Sequence, residues 1–296
     1  MSDKRILGLS RQEWALVLVT IFWGSTFVVV KNAMQWSGPF SFVAMRFLMA
    51  GVVTFLIFRR DVLRITKKEL FSGVLIGAMV FMGYGFQTVG LQTILSSQSA
   101  FLTALYVPIV PFLQWIVTKK APSKMNFLGI ALAFAGTIYI TGGGITQISL
   151  SFGELMTVLA AIALSFEILL FSFFGSKVNV RGMTVIQLFT VSLLGFIVAP
   201  LSGEAMPEFS WVLLGSIAFM GVGSGVVQFT MAWAQSSISA TRATLIYTGE
   251  PIWGAVAGRI VGERLGMGAL FGALLIFLGV LVSELKFKFS KADKRE

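Results

Sequence analysis

The chain has 296 residues, of which 56% are hydrophobic and 12% are charged, and its net charge is +10. Soluble domains have roughly a quarter of their residues charged, so this composition excludes a water-soluble globule and predicts an all-α integral membrane protein. Cysteine and histidine are absent, and the three aspartates (Asp3, Asp61 and Asp293) lie in polar stretches. This excludes disulfides, thiolate chemistry, a histidine zinc site and an intramembrane aspartyl dyad.

Ten apolar segments are long enough to cross a bilayer, and the predicted spans are 13–31, 39–58, 70–90, 97–118, 126–142, 153–174, 183–201, 210–233, 240–260 and 267–285. Eighteen of the 23 lysines and arginines fall on one side of this arrangement, together with both termini. The positive-inside rule therefore predicts that both termini are cytoplasmic. The same rule explains the net positive charge without a nucleic-acid partner.

The two halves of the chain resemble each other at a fixed offset of 143 residues. Ten of 45 positions are identical between residues 92–136 and 235–279, including Pro108 with Pro251 and Gly129 with Gly272. We therefore predict two five-span units, 1–146 and 147–296. Because five is odd, the second unit enters the membrane from the opposite side. Such inverted repeats are typical of alternating-access carriers with a substrate site near the midplane, and they make a monomer sufficient.

Several short motifs, in order and at repeat spacing, carry a family resemblance: Trp23-Gly24-Ser25, Pro39, Arg46-Phe47, Pro108, Glu250-Pro251 and Gly262-Glu263-Arg264-Leu265. Together they resemble the drug/metabolite transporter superfamily, in particular its EamA-like ten-helix carriers. The resemblance implies ten helices, cytoplasmic termini, and a central cavity that opens alternately to the two sides. It also implies export of amino acids, related metabolites or drugs across a bacterial inner membrane.

Two departures from the family pattern concern the repeat. After the fourth span, where a Gly-Glu-Arg-like sequence is expected, the chain has Lys119-Lys120-Ala121-Pro122. In the sixth span, the aromatic-Gly-Ser pattern is replaced by Ser165-Phe166-Glu167.

Ionisable groups inside the predicted spans are costly unless they are paired or hydrated, so each needs a role. Glu167 is a candidate to bind a substrate ammonium or carry a coupling proton; the alternative is a structural partner for a buried arginine. Glu250, before the kink-forming Pro251, is a candidate for structural ion pairing; the alternative is a contact with substrate or with a coupling proton. Arg46 is expected to pair with Glu167 or Glu250. Arg242 is a candidate gate residue, or it snorkels to the cytoplasmic surface.

A larger set of neutral polar and aromatic side chains lies deep in the spans. Such groups either find hydrogen-bond partners on neighbouring helices or face a wet cavity, and aromatic walls with a few polar groups suit a small amphipathic ligand. The substrate-binding candidates, in addition to Glu167, are Trp23, Thr26, Tyr84, Gln87, Tyr106, Gln228 and Tyr247. No metal or cofactor is expected.

The sequence thus favours a secondary transporter that exports amino acids or related small metabolites, with proton coupling left open. The runner-up is an exporter of lipophilic drugs or lipids, which would prefer lipophilic cations. A membrane enzyme lacks its usual catalytic residues here, and a structural or chaperone subunit would not explain the buried ionisable groups.

Overall fold

The computed structural model describes residues 9–119, 124–140 and 150–284. Residues 1–8, 120–123, 141–149 and 285–296 lie outside the described residues, and so do the parts of the predicted spans and of the predicted cytoplasmic charge that fall on them. The described chain forms twelve helices: α1 (Arg11–Ala33), α2 (Pro39–Val62), α3 (Lys67–Leu91), α4 (Ser96–Thr103), α5 (Tyr106–Thr118), α6 (Lys124–Ile140), α7 (Phe152–Phe174), α8 (Val180–Leu201), α9 (Trp211–Gln235), α10 (Ala240–Tyr247), α11 (Glu250–Ile260) and α12 (Met267–Glu284).

Twelve helices arise from ten predicted spans because two of the spans are broken. The predicted span 97–118 consists of α4 and α5, and the predicted span 240–260 consists of α10 and α11. Pro108 and Pro251 each lie in the first turn after the break. Proline lacks the backbone N–H and its ring displaces the carbonyl four residues earlier, so it interrupts the helix there. The break at Pro251 confirms the expected kink, whereas the equivalent break near Pro108 is an additional finding.

The dimensions and surface of the helices fit a multi-pass membrane protein. Seven helical stretches of the described chain, including Ser96–Ile116, are long and apolar enough to cross a bilayer. The apolar runs of α6 and α12, Phe127–Tyr139 and Met267–Val282, are shorter. Large apolar side chains such as Ile57 and Phe134 are more than 60% exposed on the outside of the bundle, as lipid-facing residues would be.

Glycine pairs bring helices into close contact, as their spacing predicts. A Cβ atom at Gly73 would lie 2.8 Å from the carbonyl oxygen of Met183 in α8, and one at Gly77 would lie 2.7 Å from that of Gln187. In α11, a Cβ at Gly258 would lie 3.2 Å from the Cβ of Ser97 in α4. Substitution at these positions would therefore force the backbones apart.

Helices α6 and α12 pack mainly on each other, at the periphery of the bundle. A Cβ at Gly136 would lie 2.5 Å from the carbonyl oxygen of Gly272, and a Cβ at Gly279 would lie 2.5 Å from that of Gly129. Each glycine of one helix thus contacts the backbone of the other helix, and the two contacts are reciprocal.

Two helices receive their N-terminal caps from distant parts of the chain. Neither α2 nor α4 begins with a side-chain cap of its own. The carboxylate of Glu204 accepts hydrogen bonds from the amides of Phe40 (2.7 Å) and Ser41 (2.9 Å) in α2, and Glu263 serves α4 in the same way. Because the first amides of a helix lack intrahelical partners and carry partial positive charge, these carboxylates join the two halves of the chain.

Candidate functional site

A cavity lies among α1, α3, α5, α7, α9 and α11. Both halves of the chain contribute to its walls. The polar and aromatic lining residues are Trp23, Thr26, Tyr84, Gln87, Tyr106, Glu167 and Glu250. The apolar lining residues are Phe27, Leu164, Ile168 and Met231.

Glu250 lies in the cavity wall at the break between α10 and α11. Its Oε2 accepts a hydrogen bond of 2.9 Å from the hydroxyl of Tyr106. The same hydroxyl lies 3.3 Å from the carbonyl oxygen of Tyr247, four residues before Pro251. Because this hydroxyl has one hydrogen, Tyr106 donates mainly to the nearer carboxylate, and the carbonyl that the proline leaves without a helical donor receives at most a share of that bond.

Glu167 projects from α7 into the cavity wall and is 1% exposed. Its Oε1 has no hydrogen-bond partner among the described residues. Gln228 of α9 lies beside this carboxylate and accepts a 2.6 Å hydrogen bond from Gln187 Nε2. Burying a carboxylate oxygen without a hydrogen-bond donor costs free energy. This oxygen is therefore a candidate contact for a ligand or a proton.

Arg46 does not form the ion pair that the sequence predicted. Its side chain is 2% exposed, yet no carboxylate in the described chain lies within the 4.0 Å of an ion pair. Its Nε donates a 2.7 Å hydrogen bond to Ser224 Oγ, and its guanidinium lies 4.8 Å from the centre of the Tyr84 ring and 5.2 Å from that of Phe47. The expected pairing with Glu167 or Glu250 is therefore wrong: aromatic rings and a hydroxyl surround the cation instead.

Three of the predicted residues contact neighbouring helices, either from the cavity wall or from behind it. Tyr247 does not line the cavity, but its ring lies 5.4 Å from that of Trp23, centre to centre, and its hydroxyl accepts a 3.1 Å hydrogen bond from Gln235. Trp23 Nε1 is buried without a partner among the described residues. Gln87 donates a 3.1 Å hydrogen bond to Thr103. Part of the predicted set thus makes helix-to-helix contacts, which was the alternative interpretation.

Arg242 lies away from the cavity, at the N-terminal end of α10. Its Nε pairs with the carboxylate of Glu13, near the start of α1. The side chain of Glu13 is 4% exposed and that of Arg242 is 52% exposed. The pair joins the first half of the chain to the second at this end of the bundle.

At the opposite end of the bundle, Glu263 joins the two halves of the chain; it lies in the connection between α11 and α12. Its carboxylate accepts hydrogen bonds from the amides of Ser96 (2.9 Å) and Ser97 (3.0 Å) and from Ser97 Oγ (2.8 Å). Lys31 Nζ lies 3.7 Å from Oε1. We call this group the Glu263 cap. Burial alone would raise the pKa of Glu263, but these hydrogen bonds outweigh it and lower the pKa below its ordinary value.

Leaving out the arginines, the sequence predicted nine binding or coupling residues. Seven of them line this one cavity. The other two, Gln228 and Tyr247, lie next to lining residues. Sequence reasoning missed the apolar wall and the Glu263 cap. The i, i+3 and i, i+4 spacing of Leu164, Glu167 and Ile168 could have indicated a shared face of α7. No local signal could have indicated which helix Glu263 caps.

The sequence profile of the EamA-like transporter family matches residues 11–142 and again residues 151–285. The chain belongs to the EamA-like transporter family. This transporter is 28% identical over 275 residues to an uncharacterized transporter of Archaeoglobus fulgidus, covering 93% of this chain and 86% of that one. It is 26% identical to the uncharacterized inner membrane transporter YedA of Escherichia coli K12, covering 90% of each chain.

The chain is also similar to a relative with a named substrate and to a solved structure with the same fold. The S-adenosylmethionine/S-adenosylhomocysteine transporter of Chlamydia trachomatis is 22% identical to the transporter, over 89% of this chain and 86% of that one. A crystal structure aligns with a TM-score of 0.67 at 15% identity, over 90% of this chain and 94% of the other. At that identity the structural similarity establishes the fold alone.

Proposed function

We propose that the transporter exports amino acids or related small metabolites by alternating access, with proton coupling through Glu167. The observation that carries this proposal is the cavity, which combines two buried carboxylates with aromatic and apolar walls between the two halves of the chain. Such a lining suits a small ligand with one charged end and one apolar end. The Chlamydia relative, named for two amino-acid-derived metabolites, supports this substrate class.

The proposed mechanism requires the two halves to be an inverted repeat. The reciprocal contacts of α6 and α12 support this arrangement, because Gly129 and Gly136 correspond to Gly272 and Gly279 at the offset of 143. Gly136 meets Gly272 and Gly279 meets Gly129, as expected when a two-fold axis passes between equivalent helices. The two broken helix pairs, α4–α5 and α10–α11, are equivalent at the same offset.

Alternating access further requires that each end of the cavity can open separately. The two ends are joined by different contacts: the Glu263 cap at one end and the Glu13–Arg242 pair at the other. We infer that substrate passes when one of these contacts breaks while the other is kept. In this proposal Arg242 acts as a gate residue, and Tyr106 orients the carboxyl group of Glu250 in the cavity wall.

The proposed location is the bacterial inner membrane, with both termini in the cytoplasm. The distribution of lysine and arginine supports the orientation through the positive-inside rule, and the inner-membrane relative YedA supports the location. The Glu263 cap then lies at the external end and the Glu13–Arg242 pair at the cytoplasmic end. A single chain contains the whole cavity, so we propose that the monomer is functional.

Counterflow in proteoliposomes tests the function. A panel of labelled amino acids and one lipophilic cation would be measured at two pH values, for the unmodified chain, for Glu167→Gln and for Glu208→Gln. Glu208 is an exposed carboxylate outside the cavity and serves as the matched control. We expect saturable amino-acid exchange that Glu167→Gln weakens or makes independent of pH. Full exchange by Glu167→Gln would remove Glu167 from the mechanism, and exchange of the lipophilic cation alone would favour a drug exporter.

A further inference from the structure

Apart from tyrosine hydroxyls, the ionisable side chains that line the cavity are two carboxyl groups. Glu167 and Glu250 are 1% and 4% exposed, and no lysine or arginine is among the described residues that line the cavity. In a region with little water, an anionic ligand group would find no cation in the cavity wall to pair with, whereas a cationic group can pair with either carboxyl group in its ionised form.

The buried arginine does not offset this imbalance at the cavity surface. Arg46 is the one cation in the described middle of the bundle that could hold a substrate carboxylate, but it lies behind the ring of Tyr84 and its Nε is bound to Ser224. Arg46 is therefore not available at the cavity surface to pair with a substrate carboxylate.

The hydrogen-bonding state of the two carboxylates also favours a cation. Glu250 has one donor, the hydroxyl of Tyr106. Glu167 Oε1 makes no hydrogen bond of standard geometry among the described residues, and its neighbouring donor, Gln228 Nε2, is also without an acceptor. An ammonium group has three donors and no acceptor, so it can satisfy this oxygen. Trp23 Nε1, a buried donor of the cavity lining, is also without a partner among the described residues, and a neutral carbonyl oxygen is enough to satisfy it.

Aromatic rings complete the surroundings of such a cation. Trp23, Tyr84 and Tyr106 line the same cavity as the two carboxylates, and Tyr247 packs against both Trp23 and Tyr106 at ring-centre distances of 5.4 and 6.3 Å. The faces of aromatic rings attract cations, most strongly where water is excluded.

We propose that the cavity recognises its substrate by an ammonium group held between Glu167 and Glu250, and that a substrate carboxylate is not required. The substrate class then extends from amino acids to amines and to amino-acid amides. This inference rests on the proposed function, because it assigns the ligand of the same cavity.

The test is a comparison of three probe sets that share side chains and differ in charge. The sets are an equimolar mixture of L-amino acids, the matching mixture of amino-acid amides, and the matching mixture of N-acetyl amino acids. Thermal stabilisation of the purified, detergent-solubilised chain reports binding of each set. Counterflow of the labelled amino-acid mixture in proteoliposomes is measured in parallel.

We expect the amides to stabilise the chain at least as well as the amino acids, and the N-acetyl compounds not to stabilise it. Glu167→Gln and Glu250→Gln should each raise the half-maximal amide concentration roughly tenfold to a hundredfold, while Glu208→Gln should leave it unchanged. If a glutamine variant does not fold, the comparison of probe sets on the unmodified chain still decides.

Two results would overturn the inference while leaving the proposed function intact: amino acids bind and exchange but the amides do not bind, or the N-acetyl compounds bind as well as the amino acids. Absence of binding and of exchange for every probe set would instead overturn the proposed function, and the inference with it.

Discussion

Replacing Glu263 by glutamine should weaken one end of the bundle by an amount that the structure allows us to estimate. The carboxylate accepts three hydrogen bonds of 2.8–3.0 Å, two of them from the first amides of α4. Glutamine keeps one acceptor oxygen and places an amide group against the remaining donors. The loss of two charge-assisted hydrogen bonds at a partly exposed site is about 2–3 kcal/mol.

Hydrogen–deuterium exchange at the start of α4 measures this loss directly, because Ser96 and Ser97 donate their backbone amides to Glu263. A loss of about 2–3 kcal/mol corresponds to a fall in protection of roughly 30- to 150-fold. Glu208→Gln is the control, since it removes an exposed carboxylate elsewhere. Unchanged exchange in the peptide containing Ser96 and Ser97 would refute the reasoning, because it would mean that the cap does not stabilise this end.

The same contact should depend on pH in a defined direction. The pKa of Glu263 is lowered in the folded chain, so the stability that its charge contributes is complete above the ordinary carboxyl pKa of about 4.3. It is lost as the pH falls through the lowered pKa. The difference in protection between the unmodified chain and Glu263→Gln should therefore be constant above about pH 5 and shrink below about pH 4. A difference that persists at low pH would contradict the role of the charge.

Two further predictions concern other contacts between the halves. Each single variant of the Glu13–Arg242 pair, Glu13→Arg or Arg242→Glu, should lower the free energy of unfolding, and the double variant should recover part of that loss. We expect a coupling free energy of about 1 kcal/mol in the double-mutant cycle. Strictly additive losses would argue against the pair. Gly136→Leu should lower the free energy of unfolding by about 1–3 kcal/mol because it overpacks the α6–α12 contact. Gly266→Leu, at a position with open space around the Cβ, is the control, and equal effects would contradict the close approach of these helices.

The sequence was sufficient to locate the helices and most polar residues of the cavity. Hydropathy locates lipid-facing helices because the bilayer imposes both length and apolar composition. Polar groups such as Gln87 and Glu167, deep in a span, have few places to lie other than a helix contact or a cavity. The positions of these polar groups in the sequence therefore predict much of the cavity wall, even though the packing of the helices is not known from the sequence.

The partners of individual charges could not be predicted in the same way. Pairing of Arg46 with a carboxylate depends on the rotation of α2 about its axis, and this rotation turns the guanidinium toward Ser224 and Tyr84 instead. The role of Glu263 depends on a contact with residues 166 and 167 positions away. Both are set by tertiary packing, which leaves no local pattern in the sequence.

The most direct test of the account is two-sided access to the cavity. The chain has no cysteine, so Thr26→Cys would place a single thiol in the cavity wall. Its labelling by a membrane-impermeant maleimide would be measured separately from each face of oriented membranes, with and without the amino-acid mixture. The account predicts labelling from both faces, with the amino acids slowing the reaction from each. Labelling from one face only, under all conditions, would contradict alternating access through this cavity.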